Sequence, residues 1–530
     1  MMRKIPLTYL AIGLIWASIA YCGQVLAAPQ GVPKHIIFKG LNTKAGPLSL
    51  DDGESPDCLN VHTNIFGTLV RRNGFTKLNN ATHAHITTSP GVVNGLYDYF
   101  VTSAITKLIG YYDNKLYKMD GLDGIFDPIK FATAMTDDTM EFENFDGTLI
   151  METWSRDLGQ SWNGTASATS DITNMPKGKH ILRAYNRMFV LNIANYELRF
   201  YFSNAGSYTT YTTASDYETL DAPSGDSGMG WGLLKGRLFG FSKYTVSLIS
   251  DVGGSDPIQV SKRIDGTGCS AGKTIKTIHH PISGESLVWL TQDKRLVMWN
   301  GSSLLDIADK VYTNNDQCPV YMQRINASSI EKAHSQVYEN KGWYVLWIPI
   351  STNVDYGVIF DYKTNTLWPL NNQDFNSSAT VKTTSGNLIY VGTRTGDVYR
   401  WDYGASDDGS FINSYWASRK WDFGFAPYLK KMGEVQITLK GIGDYDLNYQ
   451  NRYGWSDSWT TAETLNMKAS DWVLGDALPA ILGGKIAKTH RFTIPASFNL
   501  FQIKFSTNNI NPAWEIFSLD LITQILSVND

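Results

Sequence analysis

The sequence predicts an all-β fold: a six- or seven-bladed β-propeller with a C-terminal β-sandwich and an extended N-terminal arm. Three features point to it. Paired runs of β-favouring residues recur along the middle of the chain; aromatic side chains make up 13% of the 530 residues, alongside 46 glycines and 28 tyrosines; and beyond Lys430 the pattern changes to longer runs separated by polar loops. Rings pack well on pleated surfaces, and glycine supplies the positive φ that many turns need.

The repeating unit is clearest in Ser286 to Gly301, SLVWLTQDKRLVMWNG, where two apolar runs flank the polar turn Thr291 to Arg295. Two such runs joined by a tight polar loop predict an antiparallel hairpin. Their nearly continuous apolar character predicts strands covered on both faces. The same shape recurs at Leu108 to Met119, Thr148 to Trp162, Met188 to Ser203, Gly236 to Ile249, Gly342 to Trp368 and Gly386 to Asp402. Tyr112, Ile150, Val190, Phe239, Trp289, Tyr344 and Tyr390 mark the successive first strands of these pairs, about 38 to about 55 residues apart, within the scatter of propeller repeats. An ordinary succession of sandwich hairpins is the alternative.

Four segments follow in order: a signal-like leader over 1–28, an N-terminal arm and first strand over 29–92, the propeller over 93–408 and the sandwich over 409–530. The leader begins MMRK, continues with the apolar run Ile5 to Tyr21 and ends VLAA before Pro29, as a secretory signal peptide cleaved after Ala27 would. The arm is expected to be extended and to become a strand near Gly67 to Arg72. With the leader set aside, Cys58, Cys269 and Cys318 remain, an odd number without the spacing of a disulfide framework or a zinc site.

The arm reads KGLNTKAGPLSLDDGESPDCLNVHTNIFGTLVRRNGFTKL over Lys39 to Leu78. Through Gly40, Leu41, Asn42, Pro47, Leu48, Asp52, Gly53, Glu54, Asp57, Leu59, Asn60, Val61, Gly67, Leu69, Arg71, Arg72 and Gly74 it resembles the N-terminus of tail nozzle (tail tubular B-like) and tail hub proteins of tailed bacteriophages. The resemblance continues at Gly266 to Ala271 with the hairpin of Trp289 and Trp299, at Tyr356 to Trp368 and at Trp416 to Lys431. It implies a structural virion protein that oligomerises, by analogy as a hexameric ring, contacts a head-tail adaptor and tail fibre proteins, and forms part of the DNA ejection conduit.

Ser155, Asp157, Gly159 and Trp162 fit the Asp-box pattern of sialidase-like propellers. Its expected role is architectural: the carboxylate accepts backbone N–H bonds in the turn, the glycine is left-handed, and the tryptophan packs beneath. A single box without an arginine cluster does not make a sialidase. His279-His280 would point to opposite strand faces, and His83 and His85 lie in a polar loop, so neither pair predicts a metal site. Asp51-Asp52-Gly53 and Asp407-Asp408-Gly409 read as turns, lacking the spacing of a calcium loop. Asp444 and Asp446 have no partner acid, and no nucleotide or nucleophile-elbow signature is present. Trp343, Trp347, Trp416 and Trp421 are expected in cores. Tyr453, Trp455 and Trp459, in a polar loop, are the candidate surface contact.

The expected function is therefore a non-enzymatic tail nozzle or hub component, with no catalytic, cofactor-binding or metal residues and no cofactor. A formal charge of −4 without a basic stripe argues against stable nucleic-acid binding and suits a wall along which DNA passes without sticking. The expected location is the virion tail. The leader and the lone Asp box keep open a secreted or periplasmic glycan-binding propeller or a sialidase-like glycoside hydrolase.

Overall fold

The computed structural model describes residues 32–78, 91–102, 105–212, 215–313, 318–351, 354–383, 386–440, 445–467, 487–507 and 513–528. The leader, His83, His85 and Asp444 lie outside them. The described chain is all-β, its only helical elements being four three-residue 3-10 turns.

Seven four-stranded antiparallel sheets follow one another in chain order. The first four begin with Val93–Thr102, Met140–Phe145, His180–Ala184 and Gly228–Leu234; the last three begin with Lys276–His280, His334–Tyr338 and Phe375–Thr383. Each first strand adjoins the first strand of the next sheet, and Phe375–Thr383 adjoins Val93–Thr102. The arrangement is propeller-like. Every hairpin anticipated from the sequence supplies middle strands of its sheet, as Gly284–Leu290 and Leu296–Trp299 do in the fifth.

Aromatic residues hold neighbouring sheets together. Trp289 meets Phe241 of the fourth sheet at 5.1 Å between ring centroids and Trp299 meets Phe239 at 5.0 Å, both edge to face. Trp231 of the fourth sheet packs in the same way on Phe189 and Phe200 of the third, at 5.8 and 5.5 Å. Edge-to-face pairs add to the area these rings bury, which accounts for the high ring content of the chain.

Two larger sheets use the remaining strands of the described residues. One combines Val32–His35, Val61–Thr63, Leu69–Arg71, Tyr428–Lys440, Ala487–Phe498 and Glu515–Val528; the other combines Asp57–Leu59, Ser414–Ala417, Asp446–Tyr453, Glu463–Asn466 and Phe501–Thr507. Their apolar faces share one core with the sixth sheet, in which Trp343, Trp347, Trp416 and Trp421 are all buried.

The arm departs from expectation. Rather than an extended run leading to one strand near Gly67 to Arg72, it contains five short strands distributed over three sheets. Its last strand, Phe75–Lys77, pairs with Val398–Trp401 and completes the seventh sheet. Three-residue strands carry too little periodicity to be read before their partners are known.

Candidate functional site

Two places gather polar side chains under the constraint of the fold: the path of the arm, and the space lined by the seven inner strands.

The arm changes sheets at Asn60. Asp57–Leu59 pairs with Ser414–Ala417 in the five-stranded sheet, whereas Val61–Thr63 pairs with Leu69–Arg71 in the six-stranded one. The single residue between them is left-handed, with φ of 55°. Asparagine tolerates that conformation and its amide can bond locally. Here the Asn60 amide donates to Asn371 Oδ1 and to the Asn413 carbonyl, each at 2.6 Å, while Oδ1 accepts from Arg72 Nε at 2.8 Å.

Arg72 closes the crossing. Its guanidinium donates to both carboxylate oxygens of Asp407, at 2.7 and 2.6 Å, and the two side chains are 2% and 1% exposed. Such a two-pronged pair is strong and geometrically demanding. Asn372 Nδ2 donates to the same carboxylate at 3.2 Å. Asp407, read from the sequence as a turn residue, is thus the buried anchor of the arm; nothing in Asp407-Asp408-Gly409 signals a partner about 335 positions away. Nearby, Glu54 accepts from Asn42 Nδ2 at 2.9 Å, the Asp51 N–H at 3.0 Å and Lys310 Nζ at 2.7 Å. Two glycines admit close backbone passage: a Cβ on Gly53 would lie 1.6 Å from the Ile37 carbonyl oxygen, and one on Gly74 would lie 1.8 Å from that of Ser406.

His62 lies in this arm, buried edge to face on Trp343 at 4.7 Å. Burial, aided by the charge of Lys341, pushes its pKa down from 6.5 to about 4. The fold therefore holds the neutral ring, and that contribution is complete above pH 6.5 and is lost as the pH falls toward 4. Wild type measured against His62→Phe by denaturant unfolding at pH 7 and pH 4 is expected to lose about 3 kcal/mol more than the variant over that interval.

The Asp box is architectural in a way the sequence did not indicate. Asp157 accepts from the Thr136 N–H at 2.7 Å, from Thr136 Oγ1 at 3.1 Å and from Thr153 Oγ1 at 2.6 Å. The backbone group it holds belongs to the connection entering the sheet, not to its own turn. The left-handed residue is Arg156, with φ of 59°, and not Gly159, whose missing side chain leaves room for Met175, 2.7 Å from where a Cβ would stand. Ser155 Oγ donates to Asp138 at 2.9 Å. Trp162 is buried beside Tyr99 of the first sheet, ring centroids 5.6 Å apart. Asp157→Ala leaves these donors unpaired and is expected to cost about 1–3 kcal/mol, read as a lower urea midpoint.

Among the candidate surface residues, Trp455 is 66% exposed, with Lys420 Nζ 5.0 Å from its ring. Trp459 covers Arg452 at 4.5 Å and Lys504 at 5.8 Å, whereas Tyr453 turns inward against Phe498 and Phe501. The three do not form one open aromatic platform. His279 is exposed and His280 buried on one strand, and among the described residues no three His, Cys, Asp or Glu side chains gather to hold a metal.

The inner strands of all seven sheets line an open cavity of about 740 Å³. Glu141 is held on its wall by His180 Nδ1 at 2.7 Å, Trp154 Nε1 at 3.1 Å and the Ile181 N–H at 3.1 Å. Lys273 and Lys276 enter from the segment leading into the fifth sheet. The sequence could not bring these groups together, because they come from different repeats and no local spacing relates them.

No family model and no curated protein matches the sequence. Among solved structures, the chain is similar to one titled "Structure of U3-55K", at 12% identity and a TM-score of 0.40, over 62% of this chain and 98% of that one.

Proposed function

We propose that this chain is a seven-bladed propeller with an appended sandwich that serves as a structural component of a bacteriophage tail, a nozzle or hub subunit assembled as a ring around the DNA exit path. One observation carries the reading: the residues through which the arm resembles tail nozzle and hub proteins are those that thread and fasten it. Asn60 makes the change of sheet, Arg72 binds the buried Asp407, and Gly53 and Gly74 admit the close passages. A part that bears load between neighbours needs its two bodies fixed to one another. The arm does this by contributing strands to three sheets, the seventh blade included.

The axial cavity is the size of a small-molecule site, so the exit path would run between copies and not through a propeller. Ring contacts would cover apolar side chains such as Ile65 and Phe66, 79% and 80% exposed at the tip between Val61–Thr63 and Leu69–Arg71. Head-tail adaptor and fibre proteins are the expected neighbours, and DNA is the expected passenger, passing without sequence recognition.

Proteomic analysis of purified tailed-phage particles together with mass photometry of the isolated chain tests this. The expected result is a stoichiometric virion protein that forms closed oligomers. A stable monomer, absent from particles, that hydrolyses a fluorogenic sialoside would replace the reading with the secreted glycosidase.

A further inference from the structure

The cavity lined by the inner strands is chemically lopsided. Lys273 and Lys276 both line it, three positions apart where the chain enters the fifth sheet. The Lys273 ammonium donates to the Met140 carbonyl at 3.3 Å and lies 5.9 Å from the Trp154 ring. Neither is an ionic partner. For Lys276, Glu141 is the carboxylate whose charge reaches it, and Glu141 is already engaged by three donors.

The other acids on the wall do not restore the balance. Asp98 accepts the Lys382 N–H at 3.0 Å through one oxygen, and its second oxygen has no partner. Burial pushes Asp98 upward and Glu143 to about 7, toward their neutral forms, while Lys273 is lowered only to about 8 and keeps most of its charge at neutral pH. His334, 3% exposed, also lines the cavity; its ring stacks on Trp347 at 5.1 Å and its Nε2 has no hydrogen-bond partner. Asp138, the other carboxylate whose charge reaches Lys273, already accepts the Thr139 N–H and Ser155 Oγ. Both lysines are half-buried, and charge partly withdrawn from water is costly unless paired, so two ammonium groups whose carboxylates are engaged elsewhere favour a counter-ion.

We propose that this cavity binds a small oxyanion, the phosphate or carboxylate head of a compact solute, through the ammonium groups of Lys273 and Lys276. The volume of about 740 Å³ admits a molecule of metabolite size, and the remaining wall, including Ser335, Gln336, Ser378 and Thr380, is polar enough to take hydroxyl groups beyond the charged head. The site does not depend on the tail reading. It would rigidify each propeller at its axis by linking the fifth sheet to the strands that face it.

Isothermal titration of the purified full chain with inorganic phosphate, and separately with citrate, at constant ionic strength tests this, with chloride as the reference anion. At least one of the two is expected to bind saturably, near one per chain. Lys273→Met and Lys276→Met should each weaken binding by tenfold or more, Lys276→Arg should retain it, and Lys115→Met, at the exposed start of the strand Lys115–Asp120 of the first sheet, should leave it unchanged. Lysine acylation read by mass spectrometry on the wild-type chain gives a second measurement that needs no variant, with the bound anion expected to shield Lys273 and Lys276 selectively. Absence of saturable binding by both anions, equal binding by Lys276→Met, or shielding no greater than at Lys115 would overturn the proposal.

Discussion

Arg72→Met is expected to lower the unfolding free energy by about 3–5 kcal/mol, the cost of leaving a buried carboxylate without its cation. Asp407 would stay inside, 1% exposed on its side chain, with Asn372 as its remaining side-chain donor. The same substitution strips a donor from Asn60 at the residue where the arm changes sheets. Denaturant unfolding measures the loss, and the double variant Arg72→Met with Asp407→Leu should recover a substantial part of it, because no charge then remains to be desolvated. An effect below 1 kcal/mol for the single variant would mean that the arm is not fastened at this point.

Gly53→Ala is the second substitution with a large expected effect. A Cβ there would stand 1.6 Å from the Ile37 carbonyl oxygen and 2.7 Å from its carbon, both backbone atoms that no rotamer change can move aside. The segment Ile37 to Asn42 and the Asp51 to Ser55 turn would have to separate, disturbing the Lys39 N–H to Gly53 carbonyl and Asn42 N–H to Ser55 carbonyl bonds. The cost should reach or exceed the upper end of the about 1–3 kcal/mol typical of overpacking. A thermal melt of the variant reads it, and a midpoint equal to wild type would show that the arm does not pass as closely as described.

The sequence made the middle strands of each sheet legible because they are apolar on both faces: Gly284–Leu290 and Leu296–Trp299 are buried almost throughout. Inner and outer strands were harder to read. Phe375–Thr383, FNSSATVKT, is half polar because one face lines the axial cavity, and outer strands such as Leu304–Asp306 are short and largely exposed. The work that the arm's residues do was not legible. Asn60, Arg72 and Asp407 meet only after the chain has run through all seven sheets, and a pairing at that separation leaves no periodic trace. The cavity groups were illegible for a related reason, since Glu141, His180, Lys273 and His334 belong to four different repeats. In the Asp box the pattern was visible, but the bonds of Asp157 to Thr136 depend on a connection whose course only the folded chain defines.

Electron cryomicroscopy of the assembled tail tests the central claim most directly. The expected result is a closed ring of copies, each with its own Phe75–Lys77 strand completing its seventh sheet and its own Arg72 on its own Asp407, with the DNA path along the ring axis outside every propeller. Isolated copies with no place in the tail, or an arm that leaves its own chain to complete the seventh sheet of a neighbour, would contradict it.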